Sequence, residues 1–173
     1  PAAACIKHAN PSGVATGSDI ADAFQRSYDA DRLSAFGVIV ALNQECTGEV
    51  VQKIIDQKIF TEVLVAPSYS EEALTLLKKR PKLRAIAMDQ SKMNDRMCYR
   101  SCLGGVLIQE LDTKTIAATD LEVATEVQPT PKQIDDLLFA WSVVKHAKSN
   151  AIVFAKDGVT TGIGCGQTSR VDS

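Results

Sequence analysis

The chain has no apolar run approaching the ~20 residues that cross a bilayer, and no basic start leading into an apolar export segment. It has no basic excess: 19 Lys and Arg stand against 21 Asp and Glu, a net charge of −2, so the footprint of a nucleic-acid binder is missing. Histidine is scarce, with only 2, and Cys98-x-x-x-Cys102 has neither a second pair nor a nearby histidine, which removes a zinc-finger reading and leaves the pair structural. The 5 cysteines are odd in number and three lie in or beside apolar runs, which points to buried free thiols in a reducing compartment, the cytoplasm, rather than to a disulfide framework. The glycine-rich spacings that cradle dinucleotides (G-x-G-x-x-G) and the G-K-[ST] ending of a Walker loop are also missing. So is an initiating methionine: the chain opens at Pro1 and stops at Asp172-Ser173 shortly after a glycine-rich stretch, and reads as a piece of something longer.

What is present is ordinary globular material, 45% apolar and 23% charged over 173 residues, enough for one sizeable core or one domain with part of another. Ala2–Ile6 and Glu62–Pro67 read as buried strands, Ala35–Leu42 as a strand covered on both faces, and Leu83–Met88 as a fourth strand. Between them, Asp19–Arg32 places Ile20, Ala23, Phe24 and Ser27 on one helix face with Ser18 as N-cap, and a helix capped by Thr47 carries Val50, Val51, Ile54 and Ile55. Ser68-x-x-Glu71 reads as a capping box opening a helix through Lys79. This alternation predicts an α/β fold, a layered sheet with helices on both faces.

Residues 89–96 read as loop, and Tyr99–Leu111 as one long strand with a bulge at Gly104-Gly105. Thr130-Pro131-Lys132-Gln133 is a helix start with Thr as N-cap and Gln at the capping-box position; the helix runs to about Ser149 and buries Ile134, Leu137, Leu138 and Trp141. His146 in its last turn reads as a charge opposing the helix dipole. Asp157-Gly158 marks a hairpin turn after the strand Ala151–Ala155. The expected organisation is a first α/β unit at 1–111, a linker and helix at 112–149, and at 150–173 a strand and glycine-rich loop that begin a second unit.

Two stretches carry candidate chemistry. Lys7-His8-Ala9-Asn10-Pro11-Ser12-Gly13 places a basic pair at the carboxyl end of the first strand, where open α/β sheets bind ligands. Asn10-Pro11 followed by Gly13 reads as the turn, with Gly13 supplying a positive φ. A histidine at such a corner suits proton transfer, and a neighbouring cation suits a developing negative charge; a solvated loop end with no chemistry fits the same residues. Thr161-Gly162-Ile163-Gly164-Cys165-Gly166-Gln167-Thr168-Ser169-Arg170 can bring backbone N–H groups and a guanidinium to an anionic or planar ligand, or be a tight crossing that needs small residues.

Five motifs stand in a shared order: Lys7-His8-Ala9-Asn10-Pro11-x-Gly13, Ser34-Ala35-Phe36-Gly37, Glu62-Val63-Leu64-Val65-Ala66-Pro67, Lys148-Ser149-Asn150-Ala151-Ile152-Val153, and Gly162-Ile163-Gly164-x-Gly166-Gln167-x-Ser169-Arg170-Val171. In these the chain resembles, over essentially its whole length, the AICAR transformylase family, in which the transformylase is joined to IMP cyclohydrolase. The resemblance implies a cytidine deaminase-like fold and a cytoplasmic formyltransferase of purine biosynthesis. Its co-substrate would be 10-formyltetrahydrofolate and its acceptor AICAR, with the sites at a homodimer interface and no part for nucleic acid or membrane.

By the same resemblance His8 is the catalytic proton shuttle and Lys7 its oxyanion partner. Asn150, Gly37, Glu62 and Arg170 contact the nucleotide, and Val171 contacts the folate. No zinc is implied: the H-x-E and P-C-x-x-C ligands of the zinc deaminases are missing here. Glu62 replaces an Asp of some members, and Ser12 stands where bacterial members often have Cys. The family's second deaminase-like unit, with a further histidine and much of the phosphate and folate pocket, is not in this sequence, nor is the cyclohydrolase. A non-catalytic nucleotide-binding module is the alternative, and the intact Lys7-His8 pair argues against it.

Overall fold

A computed structural model describes residues 1–88 and 96–173; most of the loop expected at 89–96 lies outside the described residues. The first strand, β1 (Ala2–Lys7), alternates: Ala3 and Cys5 are buried while Ala4 and Ile6 are half-buried. It forms a hairpin with β2 (Asn10–Thr16) and pairs on its other side with β3 (Val38–Leu42), antiparallel in both cases. β4 (Thr61–Ala66) and β5 (Arg84–Ala87) continue from β3 as parallel strands.

Three helices supply the core against these strands. In α1 (Ile20–Asp29) the residues Ile20, Ala23, Phe24 and Ser27 are buried, as their spacing predicts. Its cap is Asp19 rather than Ser18: the Asp19 carboxylate accepts from Asp22 N at 2.8 Å, while Ser18 N donates to Asp22 at 2.9 Å. In α2 (Gly48–Asp56) Val50, Val51 and Ile54 are fully buried, with Thr47 at the N-cap position but making no side-chain capping bond. α3 (Glu71–Leu77) starts two residues later than the expected capping box. Ser70 caps it by accepting from Ala73 N at 3.1 Å, and Ser68 instead donates to Glu45 at 3.0 Å.

All three helices bury into the face that carries Cys5, Val38, Val40, Leu42 and Leu64. On the other face Ala4, Ile6, Ile39, Ala41, Val63 and Val65 stay half-buried. The central strands are therefore covered by helix on one face, not on both, and for that reason β3 alternates where its continuous apolar run predicted burial throughout. Within this core the thiols of Cys5 and Cys46 are pushed up to about 11 and about 12, in both cases chiefly by burial. Burial likewise raises the Tyr69 phenol to about 12, and its hydroxyl donates to Leu64 O at 2.6 Å and Ile86 O at 3.1 Å, clamping β4 to β5. Of the remaining cysteines Cys102 is exposed, against the expectation of burial.

The stretch expected to be one long strand is a hairpin, β6 (Met97–Cys102) and β7 (Gly105–Glu110), closed at Leu103-Gly104 with Gly104 at φ +81. A positive φ at a two-residue loop is hairpin chemistry, which is what the glycines provide. α4 (Pro131–Val144) opens with the expected capping box: Thr130 N donates to Gln133 Oε1 at 2.8 Å, and Gln133 N to Thr130 Oγ1 at 3.3 Å. It ends earlier than expected and buries only Val143, leaving Leu137 and Trp141 about half exposed.

β8 (Ile152–Lys156) and β9 (Val159–Gly164) turn at Asp157-Gly158, where both residues have positive φ, as predicted for this dipeptide. Expected to begin a second unit, these strands instead complete the first sheet. Its order is β5-β4-β3-β1-β2-β9-β8, a mixed sheet of seven strands.

Candidate functional site

Strand direction brings the candidate residues to one edge of this sheet. β1 and β9 run towards that edge, and β2, β3, β4, β5 and β8 run away from it. Lys7 ends β1 and His8 follows it; Gly37 precedes β3; Glu62 stands at the start of β4; Asn150 precedes β8; Arg170 and Val171 follow β9. The candidate residues therefore stand at carboxyl ends, where a ligand site is expected, at β1 and β9 only. For the parallel strands β3 and β4 this is the amino edge, because the chain reverses between β1 and β3.

The centre of the edge is a contact between three of these residues. The Lys7 ammonium donates to the carbonyl of Phe36 and, at 3.5 Å, to that of Gly37. Gly37 lies at φ +70, and a Cβ there would stand 3.1 Å from Lys7 Nζ, 3.3 Å from Glu62 Oε1 and 3.4 Å from the Phe60 ring. Glycine is needed twice over: for the left-handed backbone and for the space between a cation and a carboxylate. Gly37 N and Val38 N both donate to Phe60 O, at 3.0 and 3.1 Å, which fixes the loop over the start of β4. The Phe36 and Phe60 rings stand 5.1 Å apart beside it and are well exposed. Sequence reasoning missed this pair, because Phe36 lay within an apolar run that read as buried strand.

His8 is exposed on the turn itself. Lys7 pairs with Asn10, so the loop is His8-Ala9, and His8 carries φ +55. This corrects the expected turn: Asn10, Pro11 and Gly13 belong to β2, and Gly13 has no positive φ. Its role is steric, since a Cβ there would run into the carbonyl of Ser27 on α1. A non-glycine residue in the left-handed region is uncommon and costs on the order of 1–3 kcal/mol; such residues gather at sites where side-chain direction matters.

The second part of the edge is the loop pair 148–150 and 165–171. Asn150 exchanges backbone bonds with Gln167 at 3.1 and 3.4 Å, and its Nδ2 donates to Gln167 O and Thr168 O at 3.1 and 3.4 Å. Its amide thus holds the glycine-rich loop, with Oδ1 left as the atom that has no described protein partner. Gly166, at φ +68, donates its N–H to Lys148 O at 2.7 Å. Gly162 and Gly164 lie within β9, so the loop proper starts at Cys165. Arg170 and Val171 are exposed beyond it. Among the described residues no group of three or more His, Cys, Asp or Glu is placed to hold a metal ion, and no helix is long and apolar enough to cross a membrane.

A family profile described as AICARFT/IMPCHase bienzyme matches residues 1–173. The chain belongs to this family. It is similar to the bifunctional purine biosynthesis protein PurH of Ruegeria pomeroyi, 48% identical over the whole chain and 33% of that relative. The PurH proteins of Paracoccus denitrificans and Rhizobium meliloti are 48% and 46% identical over the whole chain and 33% and 32% of their own lengths. The chain thus spans about a third of the length of the curated relatives it matches.

Proposed function

We propose that this region supplies part of the site at which the 5-amino group of AICAR takes a formyl group from 10-formyltetrahydrofolate, giving FAICAR and tetrahydrofolate. The observation that carries the reading is the meeting of Lys7, Gly37 and Glu62 at the sheet edge that also presents His8, Asn150, Arg170 and Val171. β1 and β9 are two strand spacings apart, about 10 Å, with β2 between them.

The amine is weakly nucleophilic because its ring and carboxamide draw electron density from it. It attacks the formyl carbon, and the C–N bond forms as one amine proton passes to His8. The tetrahedral oxyanion faces Lys7. An ammonium has three donors; two are engaged by the Phe36 and Gly37 carbonyls, and the third serves the oxyanion. Collapse breaks the bond from the formyl carbon to the folate nitrogen, which receives a proton. Glu62, Gly37, Asn150 and Arg170 hold the nucleotide, Val171 lies against the folate, and the pocket is completed by the rest of the polypeptide and by a second copy in a homodimer.

The test is formyl transfer by the full-length protein containing this region. His8→Ala is expected to lower turnover by about 10²- to 10⁴-fold with AICAR binding retained. Undiminished turnover would leave Lys7-His8 as a structural corner.

A further inference from the structure

The two halves of the candidate edge come from residues far apart in the chain, and the sheet does little to align them. β2 and β9 share one ladder pair, Ala15 with Val159. Beside it Thr16 N donates to Gly158 O at 2.8 Å and Val14 N to Thr160 Oγ1 at 3.0 Å. All of these lie at the end of β2 away from His8. Towards the edge the ladder does not continue. There the Asn10 side chain spans the gap: its Oδ1 accepts from Lys148 N at 3.0 Å, across 138 positions of sequence.

Among the described hydrogen bonds this one alone joins residues 7–13 to residues 145–173. It connects directly to both sides. Asn10 is the cross-strand partner of Lys7 and closes the His8-Ala9 loop. Lys148 accepts from Gly166 N at 2.7 Å and stands two positions before Asn150, which holds the glycine-rich loop.

We infer that Asn10 is a positioning residue, whose side-chain carbonyl sets the distance and angle between the Lys7-His8 turn and the loops bearing Asn150 and Arg170. This inference rests on the proposed formyl transfer and adds to it a residue that touches neither substrate. An acceptor on a short, stiff side chain is needed; a backbone bond cannot serve, because the ladder has ended. Misplacement of reacting groups by about 1 Å costs on the order of 10²-fold in rate, so the effect of losing one such tie is large.

The experiment compares Asn10→Ala and Asn10→Asp in the full-length protein; the aspartate keeps the acceptor oxygen. Hydrogen exchange at the Lys148 amide reads the contact without reference to activity. The expected result is faster exchange at Lys148 and a ~10- to 100-fold fall in kcat/KM in Asn10→Ala, with both restored towards wild type in Asn10→Asp and the unfolding midpoint little changed. Unchanged exchange in Asn10→Ala overturns the contact, and faster exchange with wild-type kinetics overturns the positioning role. A fall that Asn10→Asp does not relieve at all also overturns it. If the wild-type protein transfers no formyl group, the functional reading falls and takes this inference with it; if the wild type is active and Asn10→Ala matches it, only the inference falls.

Discussion

The ammonium of Lys7 and the carboxylate of Glu62 both border the space beside Gly37, 3.1 and 3.3 Å from where a Cβ at that position would stand. This couples three separate segments at a point where none has slack. Gly37→Ala places a side chain at φ +70, for which the left-handed region costs roughly 1–2 kcal/mol. Chemical denaturation of the full-length protein should show a loss of that size. Calorimetry should show AICAR affinity falling further than the stability loss explains, because Lys7 and Glu62 are pushed apart.

Gly13→Ala should be the more damaging glycine change, although Gly13 has no special backbone angle. The new Cβ meets backbone, the Ser27 carbonyl, and behind it Ala30; neither can swing aside as a flexible side chain would. α1 must lift from the sheet, and the expected cost is about 3 kcal/mol or a failure to accumulate folded protein. A urea midpoint within error of wild type would show that α1 can move freely.

Alkaline pH should weaken the fold through Cys5. Its folded pKa is about 11 against an ordinary 9.0, so between these values the unfolded chain releases a proton that the folded chain keeps. The stabilisation is fully present below about pH 9 and is lost as pH rises through about 11, on the order of 2–3 kcal/mol in all. Cys5→Ala should flatten the fall in stability between pH 9 and 10.5. An identical slope in the two proteins would contradict the burial of this thiol.

The β6–β7 ribbon should exchange its amide hydrogens far faster than β1, β3 and β4 when this segment stands alone. Tyr99, Val106, Leu107 and Ile108 are all more than half exposed, and an isolated two-stranded hairpin is marginal in water. Protection equal to that of the central strands would mean that another surface covers it.

Much of the local structure was legible in the sequence because the deciding interactions lie within four residues of one another. The Ile20, Ala23, Phe24, Ser27 stripe, the Thr130–Gln133 capping box and the Asp157-Gly158 turn are of this kind, as is the arrival of Lys7-His8 at a strand end. Caps slipped by a residue or two, from Ser18 to Asp19 and from Ser68 to Ser70, since several hydroxyls and carboxylates in a row can each satisfy the first free N–H groups. The turn at His8-Ala9 was misread for a related reason: Pro11 and Gly13 have turn chemistry, but Gly13 is there for the close approach of α1.

By itself the amino-acid order determined the strands β1, β3, β4, β5 and β8, the existence of α1–α4 and which residue types could carry chemistry, but not that Asn10–Thr16 and Val159–Gly164 are strands or that 97–110 is a hairpin. Only the tertiary structure decided that β8 and β9 join the sheet of β1–β5, that helices cover one face of its centre, and that Lys7 and Glu62 both come up against Gly37. Those outcomes depend on pairings across tens to more than a hundred residues, such as Asn10 with Lys148, where the free energy comes from geometry that no local pattern of side chains encodes.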